Sequence, residues 1–283
     1  MILAVSIQIG SALAVRVIGS VGVAEALWLR STFAALILVV ALAVAKPRAL
    51  RRLPPKGQRL PLVGLGVTVF LMNLCFYGAI SRIPLGIVVA IEFVGPLGVA
   101  VIGTRRRLDW LWIVLAGVGV VVLAGPSGSA TAAGVLLALS AGTFWGIYLL
   151  LAKRAVTGLD PLTVSALMMC GAALLTTPLL LLPGAVAFAG HWDAVATGLA
   201  VAVLSSAFPY ALEMVAIRRV RAATYGVLLS VEPAIAALSG FVVLGQRITP
   251  LEAAAMAAVM AAAAGASWTS GAAAEAGAQL PAP

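Results

Sequence analysis

Runs of about twenty apolar residues, separated by short polar or basic stretches, make up most of the chain. Ten such runs fall near 2–21, 25–45, 61–80, 85–103, 110–125, 132–152, 161–182, 194–215, 223–243 and 251–269. At 1.5 Å of rise per residue, such a run crosses a hydrocarbon layer of about 30 Å; the fifth run is short. The runs are continuously apolar and do not alternate with polar positions, which predicts helices and argues against barrel strands. The connectors are too short to hold a soluble domain, and the tail 270–283 (SGAAAEAGAQLPAP) is expected to be disordered. The pattern therefore predicts an all-α integral membrane protein with ten transmembrane helices.

Composition agrees. The 283 residues are 63% hydrophobic and 10% charged, with a mean hydropathy of +1.15. That is too few charges to cover a globular surface in water. The net charge of +9 would suit nucleic acid, but the positions of the charges refute that partner. With a cytoplasmic N-terminus, fourteen basic residues fall in inside loops (Lys46, Arg48, Arg51, Arg52, Lys56, Arg59, Arg105, Arg106, Arg107, Lys153, Arg154, Arg218, Arg219, Arg221). Only Arg82 and Arg247 fall outside, and Arg16 and Arg30 lie within spans. This is the positive-inside bias of a multispanning protein, with both termini cytoplasmic. The first span starts at Met1 with no basic leader and no cleavable signal, so the expectation is a very short N-terminus or a true start upstream.

The chain also repeats itself. Shifting "PLGIVVAIEFVGPLGVAVIGTRRRLDWLW" (84–112) by 140 places it on 224–252, the stretch that begins "TYGVLLSVEPAIAALSG". Gly86 then falls on Gly226, Glu92 on Glu232, Arg107 on Arg247 and Leu111 on Leu251. Upstream, "AISRI" (79–83) resembles "AIRRV" (216–220). The expected units are 1–125 and 132–269, each of five spans. An odd number of spans reverses orientation, so the two repeats are inverted, an arrangement that in transporters places substrate near the midplane.

Candidate chemistry sits where hydrocarbon should exclude it. Glu92, Glu213 and Glu232 are mid-span, near Pro96, Pro209 and Pro233 respectively. A charge at the bilayer centre costs at least about 2.5–3.5 kcal/mol. A proline frees a carbonyl that only protein or water can satisfy. Glutamate beside a broken helix therefore signals a protein-lined cavity. Helical spacing adds same-face neighbours. These are Ser206 and Tyr210 near Glu213, and Tyr225, Leu228, Leu229, Ala236 and Ser239 around Glu232. Further stripes are Phe70, Asn73 and Tyr77 in span three, Ala141, Trp145 and Tyr148 in span six, and Gln8, Ser11 and Arg16 in span one. Desolvation favours the neutral form of such an acid, which could then exchange a proton or accept an ammonium group.

Structural roles remain open beside each of these. Glu92 and Glu232 could serve as protonated interhelical glue, and Glu213 could pair with Arg218 or Arg219. Arg16 and Arg30 could snorkel or pair with a glutamate. Trp145 and Tyr148 could be packing residues, while Trp110, Trp112 and Trp268 read as interfacial anchors. Cys75 and Cys170 read as small packing residues, and His191 is the only histidine. No metal site, cofactor or convergent catalytic set is expected. Small residues such as Gly142 and Gly146 indicate close helix packing; they admit a homodimer without establishing one.

The stretches 84–120 and 208–249 resemble EamA-type members of the drug/metabolite transporter superfamily, in particular the branch that exports threonine and homoserine. The resemblance covers essentially the whole chain and includes the E-P-x-x-A-x-x-x-G element from Glu232 to Gly240. It implies a bacterial inner-membrane exporter of small amino acids, driven by protons. Its functional positions carry over to Glu232, Pro233, Gly240 and Gly245, and to Glu92 in the first half. Many members have Gly-Glu where this chain has Gly245-Gln246, which puts an acidic role there in doubt. Rival readings are an exporter of drugs or other cationic metabolites, an importer, and a passive channel, which would need a continuous polar lining.

Overall fold

A computed structural model describes residues 1–50, 54–102, 107–125, 130–181, 188 and 190–278. Arg51, Arg52, Arg105, Arg106 and residues 279–283 lie outside the described residues. The described residues are helical throughout, joined by short turns. The order is α1 (Ile2–Val21), α2 (Val23–Ala45), α3 (Pro47–Leu50), α4 (Lys56–Ile80), α5 (Leu85–Glu92), α6 (Val94–Ile102) and α7 (Arg107–Leu123). It continues with α8 (Ala132–Gly158), α9 (Pro161–Thr176), α10 (Trp192–Ala202), α11 (Phe208–Arg219), α12 (Ala222–Leu229), α13 (Glu232–Leu244) and α14 (Pro250–Ala278). A 3-10 turn, Thr177–Leu181, extends α9, and a π-helical stretch, Val203–Ala207, joins α10 to α11.

Among the described residues, eight segments are long and apolar enough to cross a membrane. The fourth and fifth expected runs yield shorter apolar helices, Leu85–Val101 and Trp110–Leu123. The fourth run is interrupted at Phe93, and the fifth is short from the start. The ninth run likewise divides into α12 and α13, so Pro233 does not kink a continuous helix. It sits in the first turn of a new one, where its missing N–H costs nothing. At the C-terminus, α14 continues to Ala278, into the stretch expected to be disordered; alanine, abundant there, is the best helix former.

Local chemistry sets the boundaries. Gly22, at φ 101°, turns α1 into α2 with no loop between them. Thr131 accepts from Gly134 N at 3.2 Å to cap α8, and Asp160 accepts from Leu162 N at 3.1 Å to cap α9. Thr249 and Glu252 bond each other's backbone N–H reciprocally at the start of α14, a capping box. Gly245, left-handed at φ 66°, ends α13, and Gln246 N donates back to the Gly240 carbonyl, as in a Schellman turn.

Apolar side chains face outward as well as inward, and a few charged groups lie within the largely apolar core. Leu36, Val40, Leu136, Leu174 and Val242 point outward, whereas Arg30, Glu92, Glu213 and Glu232 are buried. That inversion is what a hydrocarbon solvent selects. α4 packs along α8 and α9, α2 along α9, and α1 and α5 along α13. Several contacts are backbone on backbone. A Cβ at Gly86 would lie 2.9 Å from Ala237 Cα, and one at Gly142 would run into the Glu92 carbonyl oxygen.

Candidate functional site

The breaks in the helices converge. A cavity of about 80 Å³ is lined by α1, α2, α4, α5, α8, α11, α12, α13 and the π-helical stretch. A water needs roughly 10–15 Å³ by this measure, so the cavity holds several. Glu92, the last residue of α5, and Glu232, the first of α13, both line it, as does Glu213 of α11. Of the residues singled out from sequence, Gln8, Asn73, Trp145, Tyr148, Pro209, Tyr210 and Tyr225 line the same space.

Each polar group is positioned by its own element. Pro209 has no N–H to give the Ser205 carbonyl four residues back. That carbonyl accepts from an Arg30 terminal nitrogen at 3.0 Å. The Arg30 Nε donates to Ser206 Oγ at 2.6 Å, and its other terminal nitrogen donates to Asn73 Oδ1 at 2.7 Å. The Tyr77 ring lies beneath the guanidinium, 5.3 Å from its carbon. Asn73 is itself held, its amide donating to Val69 O at 2.8 Å and to the Tyr210 hydroxyl at 3.4 Å.

Glu213 is fixed by two tyrosines. Tyr148 donates to one carboxylate oxygen at 2.8 Å and Tyr225 to the other at 2.7 Å. Its partners are therefore these hydroxyls, while Arg218 and Arg219 are exposed. Glu232 stands in the first turn of α13, where free backbone N–H groups favour a carboxylate; its Oε1 is buried and has no hydrogen-bond partner. Glu92 interacts electrostatically with both Glu232 and Arg30. Pro96, four residues on, leaves the Glu92 carbonyl without its helical donor, and that carbonyl rests against Gly142 of α8. Trp145 closes this side, edge-on to Phe93 with ring centroids 5.1 Å apart.

Five expected positions lie elsewhere. Arg16 is exposed and donates to Val243 O at 2.6 Å. Tyr77 is buried under Arg30 and is not on the cavity surface, and Ser239 and Pro233 are buried within α13. Pro96 lines a second cavity of about 440 Å³, together with Phe93, Lys153 and Ser267. The two cavities share Tyr225 and Leu229 as a common wall.

Sequence reading missed Arg30 and Ser205 as members of the site. The signal was present: Pro209 leaves the carbonyl of Ser205 without a donor, and a mid-helix arginine in α2 is a natural donor for it. Gly240 and Gly245 act through the backbone. A Cβ at Gly240 would come 2.6 Å from Gln246 Oε1, the atom that accepts from Leu85 N at 3.0 Å and so ties the end of α13 to the start of α5.

Comparison with known proteins agrees with this architecture. The threonine/homoserine exporter RhtA of Escherichia coli (strain K12) is 43% identical over 268 residues, which cover 93% of this chain and 88% of that one. RhtA of Salmonella typhimurium (strain LT2) is 41% identical over 270 residues with the same coverage. A protein crystal structure with 20% identity superposes with a TM-score of 0.67 over 95% of each chain and supports the fold. The sequence profile of the EamA-like transporter family matches residues 132–268. With relatives of this identity along nearly its whole length, the chain belongs to the EamA-like transporter family.

Proposed function

We infer that this protein is a secondary exporter of small amino acids of the threonine and homoserine kind, embedded in a bacterial inner membrane. One observation carries the reading: three buried glutamates, supplied by α5, α11 and α13, face one cavity instead of being dispersed among packed helices. Protons from the membrane gradient and the substrate ammonium group compete for these acids. The paired breaks at Glu92 and Glu232, related by the 140-residue shift, support two inverted five-helix halves that rock about the site.

The second cavity supports a direction of opening. It contains Lys153 and residues near the end of α11, on the side that the basic loops make cytoplasmic. The contacts of Gly86 with Ala237, Gln246 with Leu85, and Arg16 with Val243 close the opposite side. On this reading the protein opens inward, and alternating access would require those three contacts to part.

Proteoliposomes carrying an imposed pH gradient test this function. Labelled threonine and homoserine should show counterflow that collapses with the gradient, and Glu92→Gln and Glu232→Gln should each abolish the coupling. Coupled transport by both variants at the wild-type rate would reduce these acids to structural parts. The aromatic walls Trp145, Tyr148 and Tyr225 favour a second reading, an exporter of organic cations. Movement of quaternary amines, with threonine and homoserine inert, would establish it.

A further inference from the structure

The polar groups of the central cavity are satisfied unevenly, and the pattern matches a particular ligand chemistry. Arg30 is 5% exposed, and its protein acceptors are all neutral oxygens: Ser206 Oγ, Asn73 Oδ1 and the Ser205 carbonyl. A guanidinium has five N–H groups. Three are used in these bonds, and the buried Tyr77 hydroxyl also interacts with the group, so at most two N–H groups, one on each terminal nitrogen, remain for a ligand. The Tyr77 ring covers one face of the group, so a further partner approaches its edge. A buried cation whose partners are all neutral is costly unless an anion completes it.

The opposite deficiency occurs in the same cavity. Glu232 Oε1 and Gln8 Oε1 are buried acceptors with no donor, on side chains only 3% and 2% exposed. Both residues line the space that Arg30 lines. Glu92 interacts electrostatically with both Arg30 and Glu232, so the cationic and anionic groups belong to one chamber. Two parallel N–H groups fit the two oxygens of a carboxylate. Two acceptor oxygens, one of them ionisable, fit an ammonium group with its three N–H donors.

We propose that Arg30 binds the carboxylate of a zwitterionic amino-acid substrate while Glu232 and Gln8 bind its ammonium group. The proposal rests on the amino-acid exporter reading and specifies which atoms perform the recognition. It also replaces Arg16, which is exposed and already bonded to Val243 O. Asn73, Ser206 and the Ser205 carbonyl hold the guanidinium in place; they are positioning groups. A substrate without a carboxylate leaves Arg30 buried and unmatched, and one without an ammonium group leaves Glu232 and Gln8 unmatched.

The test uses purified full-length protein in nanodiscs, with binding of labelled L-threonine competed by L-threonine amide and N-acetyl-L-threonine. Wild type should bind each analogue at least about tenfold more weakly than threonine, since a site built to bond a group rejects ligands that lack it. Arg30→Gln should weaken threonine about tenfold to a hundredfold while changing the amide less than about threefold, so that discrimination by the carboxylate disappears. Gln8→Leu should narrow the gap between threonine and N-acetyl-L-threonine. Wild-type affinity for the amide equal to that for threonine would overturn the proposal, as would equal losses of both ligands in a monodisperse Arg30→Gln protein. If that variant aggregates, the wild-type comparison decides alone. If threonine and homoserine neither bind nor move while quaternary amines do, the exporter reading and this proposal fall together. If threonine moves but its amide competes equally, only this proposal falls.

Discussion

Replacing Gly142 by alanine tests whether the break at Glu92 depends on α8. Gly142 lies inside α8, where alanine is ordinarily better than glycine by roughly 0.5–1 kcal/mol. Propensity alone therefore makes Gly142→Ala stabilising. Geometry predicts the reverse. The added Cβ would collide with the Glu92 carbonyl oxygen and lie 3.0 Å from the Glu92 carbonyl carbon and 3.1 Å from its Cα. These are backbone atoms that no rotamer change can move, and Gly95 makes the reciprocal contact with the Gly142 carbonyl. Overpacking of this kind typically costs about 1–3 kcal/mol, which outweighs the propensity gain at all but its lower end. Gly117, in α7, is the control, because an added Cβ there meets nothing within 4 Å. Apparent melting temperatures in detergent, followed at one scan rate because such unfolding is often irreversible, should rank Gly117→Ala above wild type and Gly142→Ala below. Threonine counterflow by Gly142→Ala should also fall, since the shift displaces Glu92 from the cavity. A Gly142→Ala protein as stable as Gly117→Ala and fully active would refute the argument that this contact sets the break.

Two further outcomes follow from named bonds. Tyr148→Phe and Tyr225→Phe each remove one hydrogen bond to Glu213 while keeping the ring; at about 0.5–3 kcal/mol per bond, from a neutral to an ionised acceptor, each should slow counterflow roughly two- to a hundredfold. The double variant should lose less than the product of the single effects, and wild-type rates in both singles would remove Glu213 from the machinery. At the start of α9, burial pushes the Asp160 carboxyl up, but the hydrogen bond and charge of Lys46 and the Leu162 and Thr163 amides more than offset it, so its pKa lies below the ordinary value. Its stabilising effect is therefore full above the usual aspartate range near about 4 and is lost as pH falls further. Asp160→Ala should cost about 0.5–2 kcal/mol of thermal stability as a lost cap, with the gap to wild type closing in acid; a gap that persists there would contradict the assignment.

The membrane-spanning segments were legible because hydropathy is a one-dimensional signal that survives any tertiary arrangement. The break near Glu92 was legible in part: Glu92 with Pro96 signals an interrupted helix, but its position at Phe93 is not in the sequence pattern, because the Glu92 backbone there packs against a glycine fifty residues away in α8. The acids of the site were legible, because an ionisable group in hydrocarbon is conspicuous in any register. Arg30 was harder to read. Snorkelling accounts for a lone arginine in a span just as well, and only the carbonyl left free by Pro209, on another helix, distinguishes the two. Arg16 is the converse case: its chemistry suits a substrate carboxylate, but its helical face carries it outward to Val243 O. The end of α14 was hard to read because low-complexity alanine suits a disordered tail and a helix equally.

The amide of Gln246 has a consequence for how α13 is latched to α5. A carboxamide does not titrate, so its grip on the backbone of Leu85 has the same strength in acid and in alkali. Where a relative has glutamate at this position, the fastening itself would answer to acidity. Here the fastening is indifferent to protons, so under the proposed alternating access a pH gradient would have to act on other, titratable groups.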